Sequence, residues 1–155
     1  MKLKLIAVAA AVAFSGAAYA QKDDAARKAK DQEEERIEQQ AKADRERCNQ
    51  MKDNAKDICQ AEAKGKEKVA KAQLDAKYDN SPDNQRKAAE AKLNAQYDVA
   101  KERCDDQKGD AKDQCEKAAK DQRDMARKQV REQYAKQPER PAATGATGRT
   151  PPATK

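Results

Sequence analysis

The chain carries one cysteine motif twice. Ten residues separate Cys48 from Cys59 and Cys104 from Cys115, and 56 positions separate corresponding cysteines. Neighbouring residues recur at the same offset: Glu46-Arg47-Cys48 as Glu102-Arg103-Cys104, Ala55-Lys56-Asp57 as Ala111-Lys112-Asp113, and Tyr78 as Tyr134. Because the matches include four cysteines and a rare aromatic residue, they indicate an internal duplication. The fold is therefore expected to consist of two copies of one small unit.

The start of the chain predicts export. Lys2 and Lys4 precede an apolar run at residues 5–14, and Ala18 and Ala20 are small residues at the positions that a signal peptidase reads. This run is about half as long as the roughly 20 apolar residues that a membrane span needs. We predict a signal peptide at residues 1–20, a mature chain from Gln21, no transmembrane segment after cleavage, and a periplasmic or secreted location.

The composition that follows favours helices without a large core. Charged residues make up 40% of the chain and aromatic residues 3%, with no Trp and no His. Such a chain is too poor in large apolar residues for the core of a typical enzyme. The charges alternate in sign among Ala, Gln, Lys and Glu, which are good helix formers. We predict an all-α, non-enzymatic protein of disulfide-stapled helical hairpins in two duplicated halves, with coiled-coil-like packing in an elongated arrangement or a small bundle.

Apolar residues recur at helical spacing and predict the packed faces. The stripes are Ile37, Ala41 and Cys48; Cys59, Ala63, Ala70, Leu74 and Tyr78; Leu93, Tyr97, Ala100 and Cys104; and Cys115, Ala119, Ala126, Val130 and Tyr134. Met51 and Met125 are interpreted as residues that fill gaps in this packing. Since the stripes are narrow and rich in Ala, they bury little apolar area.

Turn-forming residues divide the chain. Residues 79–84 include Ser81 and Pro82, and a proline at this point cannot lie inside a continuous helix. We therefore predict a first helical repeat at residues 21–80 and a second at 81–137. Residues 138–155 are rich in Pro, Gly and Thr and are predicted to form a disordered tail.

Four cysteines in an exported chain predict two disulfides with three alternative connectivities. On an unbroken helix Cys48 and Cys59 would lie about 16 Å apart, well beyond the roughly 4.4 to 6.8 Å that a disulfide allows between Cα atoms. Pairing of Cys48 with Cys59 and of Cys104 with Cys115 therefore requires a turn within each motif.

Residues that form such turns lie midway between the cysteines. Asp53-Asn54 occupies this place in the first motif and Gly109-Asp110 in the second. We predict that Asn54 and Asp110 cap the following helices, and that Gly109 ends the preceding one with a positive φ. The alternative is one long hairpin bent between Ser81 and Pro82, which would pair Cys48 with Cys115 and Cys59 with Cys104.

The charge balance limits the classes of partner. The net charge is +6, and removal of Lys2 and Lys4 leaves 32 basic against 28 acidic residues, or +4. There is no long basic block or aromatic stacking platform, so a nucleic-acid partner is not predicted. We expect an envelope protein or an anionic envelope surface as the partner, and the sequence leaves oligomer formation open.

No catalytic, cofactor-binding or metal-binding residue is predicted. Cys-x-x-Cys pairs, closely spaced cysteine knuckles and histidine are all missing from the sequence. The leading hypothesis is a non-enzymatic periplasmic structural or interaction protein of the cell envelope. The alternative is a cysteine-based redox or metal-stress protein of the periplasm.

The duplicated motif resembles that of a group of small exported proteins of Gram-negative bacteria. These proteins are rich in Ala and Lys and repeat Cys-x10-Cys around an Asn-Ala-Lys-Asp type centre, as Asn54-Ala55-Lys56-Asp57 does here. Some are labelled TolA-like, because the middle region of the envelope protein TolA is similarly Ala/Lys-rich and helical. The likeness spans most of residues 45–135 and implies an exported helical envelope protein. It does not imply a Tol-Pal function, because no TolA membrane anchor or C-terminal globular domain is recognisable.

Overall fold

A computed structural model describes residues 17–136 of the chain, with side chains from residue 24 onward. It contains the helices α1 (Ala17–Cys48), α2 (Asp53–Tyr78), α3 (Pro82–Cys104) and α4 (Asp110–Ala135). No strand occurs between residues 17 and 136. The predicted all-α class with disulfide-stapled helix pairs is therefore confirmed.

Two predictions concern residues beyond these limits. Most of the predicted signal peptide (1–20) and the predicted tail (138–155) lie outside the described residues. The expected cleavage before Gln21 would fall inside α1 and stays a prediction. Between residues 17 and 136, every helix is too short of apolar residues to cross a bilayer.

The chain reverses between α2 and α3 at the predicted proline. α2 ends at Tyr78, residues 79–81 form the turn, and Pro82 is the first residue of α3. Proline suits this position because the first helical amide has no partner within the helix. The Ser81 Oγ accepts a hydrogen bond from the Asn84 amide at 3.3 Å and so caps the new helix.

The four helices form an open antiparallel row. Within residues 17–136, each helix packs only against the helix that precedes or follows it in the chain. Ion pairs of Lys30 with Asp75 and of Lys71 with Glu38 show that α1 and α2 run in opposite directions. α2 and α3 approach closely where Gly65 faces Ala95. The arrangement is thus a single layer of helices with no central core shared by all four.

Few side chains are fully buried in this row. Among the described residues, the buried apolar set is Ala41, Cys48, Ala63, Leu74 and Cys104. The other members of the predicted stripes are only half-buried. Cys48 and Cys104 are each 1% exposed and are the largest side chains that are almost completely enclosed. The best-packed points of the structure are therefore its disulfides.

The outer surface of α4 differs from the equivalent surface of α2. Where α2 presents Gly65 and Val69 toward α3, the second copy has Asp121 and Met125. Met125 is 63% exposed, and the Asp121 carboxylate accepts a hydrogen bond from Lys117 at 2.8 Å. The interpretation of Met125 as a filling residue was wrong, because none of the helices between residues 17 and 136 covers this side of α4. Met51, which is 47% exposed, is likewise not packed.

Candidate functional site

The first disulfide closes the corner between α1 and α2. α1 ends at Cys48, residues 49–52 form the turn, and Cys59 lies near the start of α2. The Met51 amide donates a hydrogen bond to the Cys48 carbonyl at 3.0 Å, so the chain folds back directly after the helix. The Cα atoms of Cys48 and Cys59 are 5.4 Å apart, and the bond fixes the two helix ends together.

The second disulfide repeats this corner between α3 and α4. α3 ends at Cys104, and the Gln107 amide donates to the Cys104 carbonyl at 2.9 Å. Cys104 and Cys115 have their Cα atoms 5.6 Å apart. Residues 17–136 contain no free cysteine. The bonds are the local pairs that the turn residues favoured, and the crossed pairing of a single long hairpin is not formed.

Each of the two turns contains a residue with positive φ. Asp53 has a φ of 51° and Gly109, its counterpart in the second copy, has a φ of 57°. The cap positions are Lys52 for α2 and Gly109 for α4, and neither makes a side-chain cap hydrogen bond. The prediction that Asn54 and Asp110 are N-caps was therefore wrong. A residue with positive φ lies at each of these turns, so α2 begins one residue before Asn54 and α4 begins at Asp110 itself.

Gly109 was correctly expected to have a positive φ, but its place in the turn was wrong. It precedes α4, whereas the residue that follows the end of α3 is Asp105, which has ordinary right-handed helical angles. With a ψ of −143°, Gly109 occupies a region of backbone angles that glycine alone enters readily.

We expect Gly109→Ala to destabilise the protein by about 1 to 3 kcal/mol through backbone strain. Nothing lies within 4 Å of the Cβ that this change adds, so the expected loss does not come from a steric clash. Thermal melting followed by circular dichroism measures it. Lys108→Ala in the same exposed turn is the control, and equal melting temperatures of the two variants would contradict the assignment.

Asn54 joins the two corners. Its side-chain amide donates to the Glu102 carbonyl and to the Asp106 Oδ1, each at 2.8 Å. Because Asn54 lies in the first turn of α2 and Glu102 in the last turn of α3, both disulfides lie at the same end of the row. A further link at this end is the ion pair of Arg103 with Glu62 at 3.2 Å. The residue interpreted as a cap thus connects the two copies.

Ion pairs line the contact between α1 and α2. Lys77 binds Glu33 at 2.6 Å, Arg45 binds Glu67 at 2.6 Å, and the Tyr78 hydroxyl donates to Glu33 at 3.1 Å. These side chains are partly exposed, so each pair adds only modestly to stability. Together they fix the register of two helices whose apolar contact is narrow.

These pairs shift the pKa values of their members. The hydrogen bond from Lys77 lowers the pKa of Glu33, and the hydrogen bond from Arg45 lowers that of Glu67, both from an ordinary value of 4.5. The hydrogen bond to Glu33 raises the pKa of Lys77 above its ordinary 10.5. Burial is the main cause that raises the pKa of Tyr78.

We expect the melting temperature to be nearly constant between about pH 5 and pH 10 and to fall below about pH 4. The lowered pKa values of Glu33 and Glu67 mean that their stabilisation is present above pH 4.5 and is lost as the pH falls through the folded-state pKa. The raised pKa of Lys77 means that its contribution is lost only above pH 10.5. Melting curves at a series of pH values measure both limits.

The double variant Glu33→Gln with Glu67→Gln should show a smaller fall in acid than the unmodified protein. Glu46→Gln is the control, since Glu46 is an exposed residue of α1, the helix that contains Glu33. A double variant whose melting temperature depends on acid pH just as that of the control does would show that these ion pairs do not set the acid limit.

The contact between α3 and α4 is built differently. The Arg123 guanidinium lies 4.1 Å from the centre of the Tyr97 ring, in a cation–π contact. The corresponding residues of the first copy are Glu67 and Ala41. Within the described residues, one ion pair joins the bodies of these two helices, and its members Arg131 and Glu90 are 3.8 Å apart. The duplicated halves therefore keep the disulfide corner and differ in the packing beyond it.

A large groove runs between α2 and α3 on one face of the row. Its volume is about 780 Å³. Small and apolar side chains line most of it, and charged side chains lie at its mouth: Gly65, Val69, Ala70, Ala95, Val99 and Ala100, with Glu62, Lys66, Lys92 and Arg103. The second disulfide reaches one end of the groove through Cys115.

The opposite face of the same helix pair has a different character. Its groove has a volume of about 360 Å³ and is lined mainly by charged and amide side chains: Asp57, Gln60, Ala61, Lys64, Asp98, Lys101 and Glu102. Close packing of α2 against α3 does not by itself require this contrast. The open apolar face is therefore the candidate binding surface.

The residues of this surface were not among the predicted stripes, except Ala70, Ala100 and Cys115. Each stripe was drawn for one neighbouring helix, whereas α2 and α3 each contact two. Gly65 was the available signal. A glycine inside a helix costs about 1 kcal/mol relative to alanine, and a close approach of another helix is a common reason for a glycine at such a position.

No group of three or more Cys, Asp or Glu residues suited to a metal ion occurs in the described part of the chain, and the sequence has no His. In comparisons with known proteins, no family model, curated protein or solved structure matches the chain. The resemblance to small exported Ala/Lys-rich proteins remains a prediction from the motif.

Proposed function

We propose that the protein is a non-enzymatic interaction module of the cell envelope that acts in the periplasm or outside the cell. Two disulfides formed within the chain are typical of oxidising, exported compartments. The apolar run and small residues before Gln21 support the same location.

The observation that carries the proposal is the contrast between the two faces of the α2–α3 pair. One face has an apolar groove of about 780 Å³ with basic residues at its mouth, and the other is polar. An apolar surface that a chain leaves open is a common site of contact with a partner. The disulfides join α1 to α2 and α3 to α4, while the hydrogen bond from Asn54 to Glu102 and the ion pair of Arg103 with Glu62 join the two helices that form this surface.

The cysteine-based alternative receives less support. Thiol exchange requires a thiolate to reach a sulfur atom of the disulfide. Cys48 and Cys104 are only 1% exposed, and their partners Cys59 and Cys115 are half-buried, so access to each bond is restricted. The environment of the cysteines therefore favours a structural role over a redox role.

Two measurements in a Gram-negative host test the proposal. The first isolates the periplasmic fraction, where we expect a chain that begins at Gln21 and has no free thiols. Cytoplasmic protein with an intact amino terminus, or with four reactive thiols, would contradict the proposed location. Bound metal or thiols that cycle with oxidant treatment would instead favour the redox alternative.

The second measurement maps contacts in living cells. A photoreactive amino acid is placed at Val69, on the open face, or at Ala61, on the polar face. We expect a discrete crosslinked product from Val69 and none from Ala61. If neither these positions nor others on the four helices give a product, the protein does not act as an interaction module.

A further inference from the structure

The mouth of the α2–α3 groove carries an excess of positive charge. Three basic residues and one acidic residue line the groove, and the acidic Glu62 is already paired with Arg103 at 3.2 Å. Lys66 and Lys92 are exposed and form no ion pair with any residue between 24 and 136. A ligand bound in this groove therefore meets apolar side chains beneath and two ammonium groups without carboxylate partners at the edge.

The polar face provides an internal comparison. Its groove is lined by three acidic residues, Asp57, Asp98 and Glu102, against two basic residues, Lys64 and Lys101. The same two helices thus combine apolar surface with net positive charge on one face only. A solvated helix pair has no need for this asymmetry, whereas an anionic and partly apolar ligand would be complementary to it.

The open face extends across the whole row. Lys66 and Ala70 also line the groove of about 260 Å³ between α1 and α2. Gln96 and Ala100 also line the groove of about 260 Å³ between α3 and α4. The three grooves therefore open on the same side, which gives a ridged surface of parallel furrows with the α2–α3 groove at its centre.

The spacing of the positive charges indicates the shape of the ligand. Lys92 and Arg103 are eleven residues apart on α3, which corresponds to about 16 Å along the helix axis. A single phosphate or carboxylate group cannot reach both. A helix with carboxylates three turns apart can, because three turns rise about 16 Å.

We propose that this groove binds an amphipathic, acidic α-helix of a partner protein. The apolar side of that helix packs against Val69 and Val99, and its carboxylates bind Lys66 and Lys92. The small side chains of Ala70 and Ala100 let the backbone of the partner helix approach closely, as helix-in-groove recognition requires. This assignment deepens the proposed function and rests on it only in requiring a partner in the same compartment.

The test uses the purified, disulfide-bonded chain and a synthetic helical peptide of about five turns with Leu on one side and Glu on the other. Fluorescence anisotropy of the labelled peptide measures binding. We expect the double variant Lys66→Glu with Lys92→Glu to weaken binding by about tenfold or more, and salt to weaken binding to the unmodified protein. Lys64→Glu with Lys101→Glu on the polar face is the matched control and should bind as the unmodified protein does.

A second variant guards against a general loss of structure. Val69→Gln changes an apolar residue of the groove without altering its charge, and we expect it to weaken binding of the peptide. The melting curve of each variant shows whether that variant is folded. A peptide with Lys in place of Glu should not bind. Equal binding of the two peptides would overturn the proposal, since charge complementarity would then play no part.

Vesicles that contain anionic phospholipid test the competing ligand. If they bind with the same dependence on Lys66 and Lys92 while the acidic peptide does not, the groove recognises a lipid surface and the proposal is wrong. Failure of both ligands to bind also overturns it. The proposed function fails on different results, namely a cytoplasmic location or the lack of any crosslink in cells. Crosslinks from positions outside the groove would contradict the groove assignment but still support an interaction module with a different binding surface.

Discussion

Removal of one disulfide, as in Cys48→Ser with Cys59→Ser, is expected to lower the free energy of unfolding by about 3 kcal/mol. The estimate comes from the chain entropy that a covalent ring of this size removes from the unfolded state. Few apolar residues are buried in the row, so little other stabilisation holds α1 against α2. We expect the melting temperature, followed by circular dichroism, to fall by on the order of 10 °C.

Loss of both disulfides should have a larger effect than loss of either one. The bonds lie in different corners, but Asn54 connects those corners through Glu102 and Asp106, so the two losses need not add exactly. Met51→Ser is the control, because Met51 is exposed in the first turn and takes no part in the bond. Melting temperatures that are the same with and without reductant would show that helix packing alone stabilises the row.

The corners were predictable from the sequence because the geometry leaves few choices. A step of eleven residues is too long for a disulfide within one helix, and turn residues lie between the cysteines of both copies. The capping prediction failed at Asn54 because both turns use a residue with positive φ, at Asp53 and Gly109. The Asn54 side chain therefore bonds with α3 instead of capping its own helix. This bond depends on how α2 and α3 pack, which the local sequence does not specify.

The open face was not predictable in the same way. Periodicity identifies one apolar stripe for each helix, but the inner helices of a row have a neighbour on each side. Val69 and Val99 belong to the second contact of α2 and α3, and a repeat comparison alone would assign Met125 the same role as Val69. The order of helices in the row explains why Val69 lines a groove, since α2 has a neighbour on each side, whereas Met125 on α4 is exposed.

Substitution of Gly65 should separate the two copies from each other. A Cβ atom at this position would lie 2.8 Å from the Cβ of Ala95, which is part of the body of α3 and cannot move without its backbone. We expect Gly65→Leu to destabilise the protein by about 1 to 3 kcal/mol or more through overpacking, even though leucine is the better helix former. The free energy of unfolding, measured in denaturant, gives the size of the effect.

The second copy and the facing helix supply the controls for this change. Asp121→Leu alters the equivalent residue of α4, which faces none of the other three described helices, and should change stability by much less. Ala95→Gly should partly rescue Gly65→Ala by removing the Cβ that it meets. If Gly65→Leu and Asp121→Leu changed stability equally, α2 and α3 would not be in close contact, and the groove between them would lose its physical basis.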